Sequence, residues 1–374
     1  MRVLHFFKTY MPDSMGGIEQ VIFQLCQSGL EHGIRSEVLT LSPNAEPTEL
    51  MVADHLVHRA HLDLQIASTG ISLSAVKRFR HLAEQADVIH FHYPWPYMDL
   101  IHLIAGVRKP TVVSYHSDIV RQKNLLRLYS PLMHHFLRQA NRIVAASPNY
   151  MATSEVLQRY RNKTVVIPYG LDRESYPRKN LERLHYWRNR CGERFFLFVG
   201  VMRYYKGLHI LLEAAKGRDY PVLILGAGPL ENELKAQAER LRLSNVYFLG
   251  RLGDEDKVAL LQLCLALVFP SHLRSEAFGI SLLEAAMFGK PMISSEIGTG
   301  TSYINVQGET GLVVPPADPI ALRAAMDRLW SDPHLCERMG RSAQARYAEL
   351  FTSERMGQQM AELYREVADE RDPG

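Results

Sequence analysis

Cysteine is scarce in this chain. Its 374 residues include only Cys26, Cys191, Cys264 and Cys336. No two of these stand at a CxxC or metal-finger spacing, which excludes a disulfide framework and a cysteine-built zinc site and leaves reduced core cysteines. Long apolar runs are also missing. The stretch from Leu100 to Val107 contains His102 and falls far short of a bilayer span. The opening residues Met1 to Lys8 carry a charge too early, and an apolar run too short, for a signal peptide. A cytoplasmic chain is expected. There is no short-period repeat and no low-complexity segment.

Net charge is small, +3, but it is unevenly spread. Residues 1–190 carry 23 Lys/Arg against 16 Asp/Glu, whereas residues 191–374 carry 20 against 24. The excess lies between Arg108 and Arg194. A basic first half suits anionic phosphates, whether of a membrane surface or a diphospho-acceptor; it is equally a solvated face. No nucleic-acid partner is expected. With 47% hydrophobic and 22% charged residues, the composition is that of a globular protein long enough for two domains with separate cores.

Short apolar runs alternate with segments of 3.6-residue periodicity, the signature of parallel sheets covered by helices. Strands are expected at Val3–Phe7, Ser36–Leu41, Val88–His92, Thr111–Tyr115, Arg142–Ala146 and Thr164–Ile167. They resume at Phe195–Val199, Val222–Leu225, Val246–Leu249, Ala266–Phe269, Pro291–Ser294 and Gly311–Val314. Helical patterns cover Ile18–Leu30, Leu73–Ala86, Gly207–Ala215, Glu231–Leu241 and Lys257–Leu263. The charged, aromatic stretch 173–193 reads as a linker between an α/β domain at 1–172 and another at 194–351. A last helix within 352–374 is expected to cross back to the first. Two Rossmann-like sheets would then face a cleft, with ligands beyond the carboxyl ends of their strands.

Three segments carry candidate chemistry. Gly16 and Gly17 follow the first strand and open a helix, where backbone amides favour a phosphate; a tight strand–helix turn also wants glycine. Arg203 and Lys206 follow the strand Phe195–Val199 and lie where cations oppose a helix dipole. That local cost favours a role on a diphosphate, Arg as a fork and Lys as a point charge. Glu276 precedes a helix and Glu284 falls two turns into it. Glu276 and the amides from Phe278 through Gly279 and Ile280 to Ser281 are suited to sugar hydroxyls, and Glu284 to a ribose.

The pattern E-x-F-G-x-x-x-x-E at 276–284 is preceded by Gly226-Ala227-Gly228-Pro229 and Gly250-Arg251. Together with Gly16-Gly17 and Thr310 to Pro316, it resembles the retaining GT-B glycosyltransferases of family GT4. The resemblance spans nearly the whole chain. It implies a nucleotide-sugar donor, a GDP-sugar (GDP-mannose or GDP-D-rhamnose) ahead of a UDP-sugar, and no metal cofactor. It assigns Gly17 and Gly228 to the donor, Arg203 and Lys206 to the diphosphate, Arg251 to the base and Glu284 to the ribose. Glu276, Phe278, Gly279 and Ile280 would hold the transferred sugar, and His116 matches the active-site histidine beside it. Two departures stand out. Val201 occupies the place of the family's usual arginine, with Arg203 two residues later, and Ile297 to Tyr303 replace the G-G-x-x-E loop. The second resembles a subset that builds O-antigen with mannose or deoxymannose on lipid-linked or polysaccharide acceptors.

Other patterns are decoys or adjuncts. Asp254-Glu255-Asp256 has a D-x-D look but begins a helix, where acidic caps are expected. His90 and His92 alternate on a strand without a nearby Cys or carboxylate set, which argues against zinc; His134-His135 invites the same reading. His92, Tyr93 and Trp95 are expected to line the acceptor site. A nucleotide-sugar epimerase and a non-catalytic nucleotide-sugar-binding subunit are the rival readings. A nicotinamide dehydrogenase is disfavoured by Pro229, which breaks the dinucleotide fingerprint.

Overall fold

The computed structural model describes residues 1–66, 69–119 and 123–370. The chain divides into two compact units, Met1–Gly170 joined by the segment from Ser353, and Leu171–Thr352.

In the first unit the strands are β1 (Arg2–Phe6), β2 (Arg35–Ser42), β3 (Glu49–Val52), β4 (His55–His61), β5 (Leu64–Ile66), β6 (Thr69–Ile71), β7 (Val88–Tyr93), β8 (Thr111–Tyr115), β9 (Arg142–Ala145) and β10 (Thr164–Val166). The helices are α1 (Gly17–Glu31), α2 (Leu73–Gln85), α3 (Pro96–Ala105), α4 (Lys123–Gln139), α5 (Pro148–Thr153) and α6 (Glu155–Arg159). Among the described residues an eight-stranded sheet runs β10-β9-β8-β7-β1-β2-β4-β3. It is parallel except for β3, which pairs antiparallel to β4 at the edge. The order reverses between β1 and β7, the kind of position at which loops leaving neighbouring strands diverge.

The second unit holds β11 (Phe196–Val199), β12 (Val222–Leu225), β13 (Val246–Gly250), β14 (Ala266–Phe269), β15 (Met292–Ser295) and β16 (Gly311–Val314). Its helices are α7 (Leu181–Cys191), α8 (Leu208–Ala215), α9 (Glu231–Arg240), α10 (Asp254–Leu263), α11 (Ile280–Met287), α12 (Thr301–Ile304), α13 (Pro319–Ser331) and α14 (Pro333–Leu350). The parallel order is β13-β12-β11-β14-β15-β16, which reverses between β11 and β14. Phe196, Phe198, Ile224, Val268 and Ile293 from the central strands are fully buried with Leu211, Met326 and Leu329 from the helices. Burial on this scale supplies the main driving force for the unit.

All twelve expected strands are present, each end within one residue of its expected place. The stretch 173–193 is not a linker. It belongs to the second unit, where Asn180 caps α7 by accepting from the amides of Glu182 and Arg183, and Leu184 and Trp187 are buried. The closing helix, α15 (Ser353–Asp369), packs on α1 in the first unit; residues 371–374 of the expected segment lie outside the described residues. No helix among the described residues is long and apolar enough to cross a membrane.

Candidate active site

In the second unit, the loops leaving β11 and β14 meet at the switch point of the sheet. After β11 a short 3₁₀ turn, Tyr204–Lys206, aims Lys206 across the sheet. Its ammonium pairs with the Glu276 carboxylate from the loop after β14; the two side chains are only 12% and 11% exposed. Lys206 also stands 4.6 Å from the Phe269 ring centre, and Ser271 donates to Glu276 Oε2 at 3.2 Å. Arg203 is exposed beside this couple and makes no ion pair among the described residues. One cation is thus masked by an internal counter-ion and a second is open to an incoming anion.

Glu276 leads into α11 through Gly279, whose φ of +104° suits glycine and where a Cβ would lie 3.0 Å from Leu282. The first amides of α11, at Ile280 and Ser281, have no carbonyl partner within the helix. The Ser281 hydroxyl is already committed to the Val199 carbonyl at 2.8 Å, and the Phe278 ring is buried against Phe351. These residues therefore offer backbone rather than side-chain groups. The Ile297–Tyr303 loop packs beneath them, with the Gly300 amide donating to Ala277 at 2.8 Å.

Glu284 is 5% exposed. Its Oε1 accepts from Tyr176 at 3.0 Å and pairs with Lys257 at 3.0 Å. Burial pushes the Lys257 ammonium down, but Glu284 and Asp254 outweigh it and raise it to about 12. Sequence reasoning missed both partners: Lys257 reads as one more helix cation, and Tyr176 falls in the supposed linker. Asp254, Glu255 and Asp256 begin α10 as expected and fill its first turn, although the N-cap itself is Gly253. Asp254 holds Lys257, Glu255 meets Asn180 and Arg183, and Asp256 accepts from Trp187 at 2.9 Å.

Gly228 lies so close to the loop after β11 that a Cβ would stand 2.6 Å from the Met202 backbone. Backbone packing alone accounts for this glycine. Arg251 is exposed just beyond β13.

In the first unit, Gly16 caps α1 and Gly17 begins it. Glu19 turns its carboxylate back over Gly16, where a Cβ would lie 2.7 Å from Oε2. Its Oε1 accepts from Thr9 at 2.9 Å and Ser14 at 2.8 Å. A carboxylate of the chain itself thus already sits at the positive end of α1.

His116 follows β8, and both its ring nitrogens are engaged, Nε2 with His92 at 2.9 Å and Nδ1 with Tyr169 at 2.5 Å. Burial lowers its pKa to about 3; burial, with the charge of His55, does the same to His5. His90 and His92 are also held well below the usual value, by burial and then by neighbouring histidines.

Comparisons with known proteins decide the family. Residues 187–346 match the glycosyl transferases group 1 and residues 15–175 match glycosyltransferase family 4. The chain is 65% identical to the D-rhamnosyltransferase WbpZ of Pseudomonas aeruginosa over 94% of its own length and 93% of that protein's. This chain belongs to glycosyltransferase family 4. It is also 50% identical to the O-antigen chain mannosyltransferase C of Escherichia coli, covering 97% and 98% of the two chains. In fold it is similar to a sucrose-phosphate synthase from Thermosynechococcus elongatus, with a TM-score of 0.82, 21% identity and 99% of each chain covered.

This family-4 glycosyltransferase departs from the sequence expectation at its acceptor residues. His92, Tyr93 and Trp95 are fully buried. Tyr93 donates to the Met133 sulfur at 3.0 Å and stacks on Tyr115; Trp95 donates to the Gly70 carbonyl at 3.1 Å. Because β7 lies between β1 and β8, with helices covering the sheet, residues from it become core. The histidine pair also gains a member, since ring nitrogens of His5, His90 and His92 lie within 4.8 Å of one another. Their rings are stacked or tilted by 24–43°, and every nitrogen already meets Ser36, Ser114, Tyr364 or another histidine. A metal ion shared by these nitrogens would have to displace those hydrogen bonds.

Proposed function

We propose that the enzyme moves a hexose, D-rhamnose or mannose, from a nucleoside-diphosphate donor to a lipid-linked or polysaccharide acceptor in surface-glycan assembly. A GDP-sugar is the favoured donor. The reaction retains anomeric configuration and uses no metal. The donor reading is carried by the cations and carboxylates on the loops and helix that follow the central strands β11 and β14, Arg203 and Lys206 for the diphosphate, Glu276 and Glu284 for hydroxyls. The sugar choice is supported by the 65% identical rhamnosyltransferase and the 50% identical mannosyltransferase. The metal-free reading is supported by the commitment of Asp254, Glu255 and Asp256 to partners within their unit. The basic first half brings the enzyme to the anionic cytoplasmic face of a membrane.

The donor C1–O bond to the diphosphate breaks through an oxocarbenium-like state. Lys206, Arg203 and the α11 amides stabilise the charge growing on the leaving oxygens. The acceptor hydroxyl forms its bond to C1 from the same face, and its proton passes to the departing phosphate. No enzymic nucleophile is needed. His116 takes part in the transfer.

A panel of nucleotide sugars, scored by thermal shift and nucleotide release in the presence of a chelator, tests this. GDP-D-rhamnose or GDP-mannose should give the largest response. Activity abolished by the chelator and restored by magnesium would overturn the metal-free mechanism.

A further inference from the structure

Three imidazoles from adjacent strands of the first unit are joined end to end. His5 on β1 meets Ser36 Oγ through Nε2 at 3.3 Å and His92 Nε2 through Nδ1 at 3.0 Å. His92 on β7 continues through its Nδ1 to His116 Nε2 at 2.9 Å, and His116 Nδ1 closes on the Tyr169 hydroxyl at 2.5 Å. The strand register explains the line-up. His5 is paired with His90, so His5, His90 and His92 share one face of the sheet, and His116 follows the strand next to β7. His90 stacks on His92 but sends its own nitrogens to Tyr364 and Ser114, so it flanks the chain without joining it.

A neutral imidazole donates through one nitrogen and accepts through the other. Each ring-to-ring bond here runs from an Nδ1 to an Nε2. The three rings must therefore share one tautomer, all Nε2–H with protons pointing toward Ser36 or all Nδ1–H with protons pointing toward Tyr169. A mixed set would put two N–H groups, or two lone pairs, face to face where no water can repair the loss. The ends choose between the two. A phenol is a stronger donor than an aliphatic hydroxyl, and the Tyr169 bond is the shortest of the four while the Ser36 bond is the longest. Tyr169 donates, and the chain is all Nε2–H.

We propose that His5 and His92 are positioning residues for His116: by sharing its hydrogen-bond register, they fix which ring nitrogen of His116 carries the proton and hold its ring plane. The inference rests on the reading of His116 as a participant in sugar transfer. Neither His5 nor Ser36 needs to touch a substrate to affect turnover.

Nitrogen-15 spectra of the full-length protein, labelled at histidine, distinguish the two tautomers directly. Wild-type protein at neutral pH should show His5, His92 and His116 all as Nε2–H. In His5→Phe the His116 tautomer should become mixed, and kcat for GDP release from GDP-D-rhamnose should fall about 5- to 20-fold, with KM for the donor within about twofold. His5→Asn, whose amide can donate or accept where Nδ1 stood, should recover most of the loss. Should His5→Phe fail to fold, Ser36→Ala removes only the far end of the chain and should give the same spectral change with a smaller loss. Different tautomers among the three wild-type rings would overturn the proposal. So would a folded His5→Phe or Ser36→Ala with unaltered spectrum and kcat. If His116→Ala itself turns over normally, the role of His116 fails instead, while the tautomer spectra still decide whether the rings are coupled.

Discussion

Lys206 and Glu276 close on each other from the loops that follow β11 and β14, adjacent strands at the reversal point of the second sheet. A diphosphate reaching Lys206 must compete with that carboxylate. Glu276→Gln removes the competitor, so GDP should bind about 3- to 10-fold more tightly by calorimetry while sugar transfer falls at least about 100-fold. Lys206→Ala should lose both affinity and turnover, the latter by about two to three orders of magnitude. GDP affinity unchanged by Glu276→Gln would show that the two groups do not compete.

Lys257 pairs with Glu284, whose side chain is only 7% exposed. Lys257→Met removes the cation and leaves the carboxylate with Tyr176 alone, a loss of about 2–4 kcal/mol in urea unfolding. Glu284→Gln, which keeps an acceptor for Tyr176, should cost less in stability and more in donor affinity. The reverse ranking would place Glu284 in the framework rather than in the site.

The buried histidines make acid stability predictable. His5 and His116 have folded values of about 3 against an ordinary 6.5. Between those values the unfolded chain binds protons that the folded chain refuses, so stability rises with pH. The contribution is whole above about pH 6.5 and is lost as pH falls toward about 3, at roughly 1.4 kcal/mol per pH unit for each histidine. Urea midpoints measured from pH 7.5 down to about 4.5 should fall steeply. A flat profile would mean the rings are already charged in the native state.

Trp95 offers a direct test of its place in the core. Trp95→Phe should cost about 1–3 kcal/mol of stability and leave the acceptor KM within about twofold. A large KM change without destabilisation would return Trp95 to the acceptor site.

The βα rhythm was legible because parallel strands buried on both faces read as unbroken apolar runs. The edge strand β3 and its neighbour β4 were not. His55–His61 carries His58 and Arg59, whose burial is tolerated only because Glu37, Glu49 and Asp13 arrive from elsewhere in the chain. Helix α7 was hidden for a related reason: only Leu184 and Trp187 are buried along it, so charge dominates its pattern. Glu276, Glu284 and Lys206 were visible as motifs, but their pairing was not, since Lys206 and Glu276 stand 70 residues apart. The histidine chain required strand register, which motif spacing does not encode.

Helix α15 has one more consequence. Tyr364 reaches His90 across 274 residues of sequence, and Arg365 caps the carbonyl of His32 at 2.6 Å. On the ribosome, every residue of the second unit emerges before this helix does. The first unit therefore lacks its cover over α1, β7 and β8 until the second unit has been made. A chain stalled near Thr352 would leave those surfaces of the first unit open to chaperones.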